Sequence, residues 1–412
     1  MPDRASHVRR LRDALALRTA VLQYLAAPRD ERAVDALRTA TPVAWSVFLR
    51  HECCALPIVS RLRADGLLSR FEPAVQESLS VAEARELQRV LAARSIVRDL
   101  DAIGEPAGVR FILLKGGALA ADPARPPVDL GDVDVLTAPE STERAWNALL
   151  VNGWSPHASG LTPTDEVGQR PHFAPLRNSR HQLPLELHAR FDYGPSAPDV
   201  DLAPETTPLG GYRAIDRLVG VRAIAATLRH SVVVHPHRRG HLRDLFLLAE
   251  LLRELEPDQL QQLERELQED AERVELLAML VQARALSRGE ALADPDALRP
   301  FVAYKYAVDT GTSRLLATSS PGWNTWSHLP LERASVRRAA YGRLLRGSTE
   351  PILRDWSPLG HPVLGARLAR VVGLPRLVRV GRRVALVIAL IAVGGMIRRH
   401  VAALTSTPKG VD

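Results

Sequence analysis

A chain of 412 residues is too long for one simple core, so about two or three domains are expected. Its 46% hydrophobic and 25% charged residues are those of a soluble globular protein, and the adjacent pair Cys53-Cys54, its only cysteines, excludes a disulfide framework or a Cys/His finger and fits a reducing compartment. The net charge of +7 is uneven: residues 333–412 carry 15 Lys/Arg against 3 Asp/Glu and the remainder 39 against 44, so the basicity belongs to the tail and gives no reason for the core to bind nucleic acid.

Ala, Leu, Arg and Glu are abundant, which favours helix, and residues 1–104 read as a helical region. Leu11, Ala14, Leu15 and Leu17 open one amphipathic stretch, and Val34, Leu37 and Ala40 suggest another. Thr41-Pro42 reads as the N-cap and first turn of a helix carrying Trp45, Val47, Phe48 and Leu49. His51 follows and is expected to pack between helices rather than to bind a ligand. A long helix is expected from Val75 to Ile103, closed by Gly104.

The pattern then turns to α/β. Val109–Leu114 is an apolar run long enough for a buried strand. Gly117–Ala121 opens a helix, DPARPPV is loop, and Leu130–Leu136 reads as a second strand. Pro139 begins a helix with Glu140 and Glu143 early, where the dipole favours acids, and this helix closes near Gly153. In HQLPLELHARF, Leu183, Leu185, Leu187, Ala189 and Phe191 alternate with Gln182, Glu186, His188 and Arg190, the signature of a half-buried strand. His172 lies on an expected partner strand. Beyond about residue 212 the reading is helical: Leu218–His230, Leu242–Leu255, then one amphipathic stretch over Asp258–Ala293. His230, His235, His237 and His241 fall close together but lack clear zinc spacing. Trp323 and Trp326 are expected to pack down a loop.

The chemistry concentrates between Phe111 and Thr137. Lys115, Gly116 and Gly117 end the first apolar run; fourteen residues separate Gly117 from Asp132, and Asp132 and Asp134 alternate with Val133 and Val135. In a strand the two carboxylates share one face, and carboxylates that close are usually compensated by a divalent cation with oxygen ligands. The Gly-Gly pair lets backbone N–H groups approach a phosphate. Lys115 either pairs with phosphate oxygens or points to solvent.

The order strand, Gly-Gly, helix, Asp-x-Asp strand resembles the signature of the DNA polymerase β-like nucleotidyltransferase superfamily. Leu114-Lys115-Gly116, Asp132-Val133-Asp134-Val135-Leu136 and Leu185-Glu186-Leu187-His188 resemble the LKG…DxD…ELH motifs of a bacterial nucleotidyltransferase family, over roughly residues 30–260. The resemblance implies an α+β fold with a mixed-sheet core over residues 105–212 flanked by helical regions at 1–104 and 213–345; the charge count sets a basic tail at 346–412 beyond them. The resemblance also implies transfer of a nucleoside monophosphate from a nucleoside triphosphate such as ATP, with Asp132, Asp134 and Glu186 as catalytic residues holding two Mg²⁺ ions. Glu186 would double as general base; Lys115, Gly116, Gly117 and His188 would bind the nucleotide, His188 by orienting a carboxylate or touching phosphate. His230 and the Asp244 region resemble helices that cover the nucleotide. Three departures stand out. The Gly-Gly to Asp-x-Asp spacing is slightly long, Gly117 stands where serine is frequent, and Val128 stands where an arginine is common, with Arg125 nearby.

In the tail, fourteen uncharged residues (384–397) lie between Arg382-Arg383 and Arg398-Arg399. As a helix they span about 21 Å, short of the roughly 30 Å hydrocarbon core, which leaves a buried helix, a partner-binding helix or one lying on an anionic lipid surface. Residues 363–405 are therefore the expected contact with a membrane surface or protein partner. The first residues lack an apolar signal segment, so a cytoplasmic location, with or without attachment at the inner membrane surface, is expected. A non-catalytic scaffold tethered by the tail is the competing reading, opposed by the three clustered carboxylates.

Overall fold

The computed structural model describes residues 4–156, 175–188 and 205–309 except positions 29, 235–237, 269 and 271–272, together with 173, 401, 402 and 405. The expectations for His172, His235, His237, Trp323, Trp326, the end of the third strand and residues 384–397 lie outside the described residues. Among the described residues, helices and one seven-stranded mixed sheet build an α+β fold. No helix there is long and apolar enough to cross a membrane.

The chain divides into two compact units. One, Leu17–Val234 with His241–Pro295, holds the sheet. In the other, described residues include α12 (Arg299–Asp309). There the Arg239 guanidinium lies 4.7 Å from the centre of the Phe301 ring, a cation–π distance.

Helices lead in as the amphipathic pattern requires. α1 (Arg4–Ala26) buries Leu11, Ala14, Leu15 and Leu17, and α2 (Glu31–Thr39) buries Ala33 and Leu37. α3 (Pro42–Glu52) starts as expected: Thr41 Oγ1 accepts from the Ala44 N–H at 3.2 Å and Pro42 occupies the first turn. α4 (Ala55–Ala64) has no side-chain cap of its own, and Glu86, from the helix that follows, supplies one, its carboxylate accepting from the N–H groups of Ala55 and Leu56 at 2.9 Å each.

α5 (Pro73–Ala107) is the central helix and runs beyond the expected end. Gly108, in the left-handed conformation (φ 61°), closes it, while Gly104 sits inside. A Cβ on Gly104 would lie 2.7 Å from Val109 O and 2.9 Å from Ala214 Cβ. That glycine therefore serves a close approach to the sheet, which local sequence could not distinguish from a stop.

The strands are β1 (Phe111–Leu113), β2 (Val133–Leu136), β3 (Ser155–Pro156), β4 (Leu176–Arg177), β5 (Leu185–His188), β6 (Thr206–Pro208) and β7 (Ile215–Leu218). Their order across the sheet is β3-β4-β5-β2-β1-β7-β6. β2 pairs antiparallel with β1 and parallel with β5; β1 is parallel to β7. The expected helix from Leu218 is thus corrected. β7 occupies 215–218 beside β1, and the helix, α8, spans Gly220–Arg229. A four-residue strand has too short a period to declare itself, and only pairing with β1 defines it.

One sheet face buries Val133, Val135, Leu185 and Leu187 in a core shared with Val90, Ile96, Val97 and Leu100 of α5 and Ala145, Trp146 and Leu149 of α7 (Thr142–Val151). α6 (Lys115–Ala121) links β1 to the loop before β2. α9 (Leu242–Leu252) packs on α11 (Arg273–Arg288) and α8. The single amphipathic stretch expected over 258–293 is two helices, α10 (Pro257–Gln268) and α11. Their like periodicity hid the break.

Candidate active site

Alternation along β2 and β5 puts Val133, Val135, Leu185 and Leu187 into the core and Asp134, Glu186 and His188, with Leu136, on the opposite face. Parallel pairing sets Asp134 directly beside Glu186 and Leu136 beside His188. Asp134 and His188 are each 5% exposed, whereas Glu186 is half-buried. Nε2 of His188 lies 3.0 Å from Asp134 Oδ1, and the Lys115 ammonium lies 3.0 Å from the same oxygen. One potential ligand atom from each of Asp134, Glu186 and His188 lies within 4.8 Å of the others. Asp132 is half-buried just ahead of β2, outside that group.

The electrostatics follow from this crowding. Burial alone would raise the Asp134 pKa, but the ammonium of Lys115 and the imidazole of His188 outweigh it and hold the carboxyl well below its ordinary range. Asp134 therefore stands as a carboxylate. Lys115 adopts a left-handed backbone (φ 50°), uncommon for a residue with a side chain and typical of strained functional positions.

The two glycines differ. A Cβ on Gly116 would meet Leu130 Cδ2 at 2.3 Å, so that position requires the close approach; on Gly117 the nearest atoms would be 3.8 Å away. Both are buried. Beside them a small cleft lined by Lys115, Ala118, Leu218, Ala223, Ala226, Thr227 and Leu251 opens between α6, α8 and α9.

Several charged residues around the site were not singled out by sequence. Arg89 of α5 clamps the buried Asp129 with two bonds of 2.6 and 2.5 Å, just ahead of Asp132. Arg243 in the first turn of α9 pairs with Asp244 at 3.0 Å. Burial would lower the Arg243 pKa, but Asp244, with further contributions that include Asp132 and Asp129, raises it. Nothing in local sequence links Arg89 or Arg243 to the Asp-x-Asp strand; helix packing brings them there. Arg125, near the Val128 position where an arginine is common, is paired with Glu254, which also takes Arg217. His51 is 2% exposed, and its carbonyl accepts from His241 Nε2. The packing role expected for it matches this position.

A cluster of two carboxylates and an imidazole, backed by the lysine that opens α6, can hold a divalent cation next to an anionic substrate. No curated protein and no solved structure matches the chain. Residues 48–288, more than half of its length, match the family described as uncharacterised nucleotidyltransferase, and the chain belongs to that family.

Proposed function

We propose that this protein transfers a nucleoside monophosphate from a nucleoside triphosphate to an acceptor hydroxyl, phosphate or amine. The observation that carries the reading is the register of β2 on β5, which aligns Asp134 with Glu186, joined by Lys115, which the β1–β2 pairing brings to Asp134. Membership of a nucleotidyltransferase family supports the reaction class. Kinship with the bacterial LKG…DxD…ELH proteins and the wider polymerase β-like superfamily belongs to this proposal as well.

The donor chemistry fits divalent cations: anionic oxygens and an imidazole face one another at short range on a buried surface. Asp132, Asp134 and Glu186 would hold two ions, Mg²⁺ by expectation. When bound, these would neutralise triphosphate charge and promote deprotonation of the attacking oxygen. Lys115 would supply a compact positive charge for phosphate oxygens, already oriented by Asp134. Gly116 and Gly117 would let the chain approach those phosphates closely. Glu186, the half-buried member, would take the acceptor proton as general base. His188 would orient Asp134 through its Nε2 contact.

Calorimetric titration of Mg²⁺-ATP and the other Mg²⁺-triphosphates into wild type and the Asp132→Ala/Asp134→Ala double variant tests the reading. Metal-dependent binding by wild type that is lost in the folded double variant is expected. Absence of binding of every triphosphate to folded wild type refutes it.

A further inference from the structure

We propose that Asp134, Glu186 and His188 form a mixed nitrogen–oxygen cation site that selects a Mn²⁺-class transition-metal ion over Mg²⁺. The inference takes its location from the reading above, but concerns which ion these residues prefer and can fail independently of it.

Three features carry it. Parallel pairing places Asp134 beside Glu186, and His188 follows two residues on along the same strand face. The three potential ligand atoms therefore gather within 4.8 Å of one another, and modest side-chain rotation brings them onto one ion. Second, the imidazole is directed into the cluster. Nε2 of the buried His188 lies 3.0 Å from Asp134 Oδ1 and donates its N–H to that carboxylate; an entering ion takes the place of this proton, so the same nitrogen can serve an ion shared with Asp134. Third, Lys115 also lies 3.0 Å from Oδ1. With an ammonium already engaging that oxygen, an ion is left the other oxygens of Asp134 and Glu186, and the imidazole adds a nitrogen to that set.

Ion chemistry decides the preference. Mg²⁺ favours oxygen donors in strict octahedral geometry and retains several waters, whereas imidazole nitrogen is an ordinary ligand for first-row transition metals. Mn²⁺ accepts both oxygen and nitrogen donors, so the same residues can hold it without forgoing the carboxylates.

The test uses the full chain and Mn²⁺ as probe. Free Mn²⁺ is followed by electron paramagnetic resonance during titration and during Mg²⁺ competition, and coupling of bound Mn²⁺ to ¹⁴N is read by pulsed spectroscopy. Wild type is expected to show ¹⁴N coupling and to bind Mn²⁺ at least about tenfold more tightly than Mg²⁺, with H188Q losing the coupling and about tenfold of the preference. D134N is expected to lose the bound ion. Bound Mn²⁺ without ¹⁴N coupling, coupling unchanged in folded H188Q, or displacement by equimolar Mg²⁺ overturns the proposal. If H188Q does not fold, the wild-type coupling and affinity ratio decide together with D134N. The two readings separate cleanly: ¹⁴N-coupled Mn²⁺ without triphosphate binding refutes the transferase and leaves the metal site, while Mg²⁺-triphosphate binding without ¹⁴N coupling does the reverse.

Discussion

Glu86 offers a quantitative test of how the helical lead-in is joined to the sheet. Its side chain is fully buried, and its two oxygens accept from the first N–H groups of α4 at 2.9 Å. Burial pushes its pKa up from 4.5 to about 7, against the pull of the Ala55 and Leu56 hydrogen bonds. At about 1.4 kcal/mol per tenfold change in proton affinity, this displacement is worth ~3 kcal/mol. Because the folded protein holds the proton more tightly than the unfolded chain, the contribution is complete below about pH 4.5 and is lost as pH rises through about 7. Glu86→Gln removes the titration and keeps one acceptor oxygen, at the cost of about 1–3 kcal/mol for an N–H facing the amide NH₂. Urea denaturation of both proteins from pH 4.5 to 8, followed by tryptophan fluorescence, measures the gap. The wild-type advantage should shrink by ~3 kcal/mol across that range. A constant gap would mean that burial and hydrogen bonding cancel. A gap that widens with pH would mean that the two N–H bonds hold Glu86 as a carboxylate, refuting the argument.

Arg89→Ala strands the buried Asp129 carboxylate and should cost about 3–5 kcal/mol, read by the same denaturation, whereas Arg89→Leu/Asp129→Leu should recover much of the loss. Gly117→Ala should change stability by less than about 0.5 kcal/mol, while Gly116→Ala must displace Leu130 and should cost about 1–3 kcal/mol by thermal melting. Equal effects at the two positions would contradict the packing described. Glu186→Gln should keep the fold, by circular dichroism, yet reduce triphosphate turnover at least about 100-fold once an acceptor supports assay. Lys115→Met should raise the KM for triphosphate, and an unchanged KM would remove the lysine from phosphate binding.

The sequence determined what periodicity and local chemistry can encode. The Thr41-Pro42 start of α3, the apolar β1 and β2, and the alternation of Leu185, Glu186, Leu187 and His188 all follow from short-range rules. So does the suspicion of a cation site, because Asp132 and Asp134 carry their own argument. Tertiary structure decided which residues meet. Only the parallel register of β5 on β2 makes Glu186 the neighbour of Asp134 and brings His188 into the same cluster. Only helix packing delivers Arg89 to Asp129 and Glu86 to the start of α4. β7 stayed hidden because it exists by virtue of pairing with β1, and Gly104 was misread because its function is contact across the core. The physical reason is common to all: local propensity is written in neighbouring residues, whereas long-range pairs are set by burial and hydrogen bonding between segments far apart in the chain.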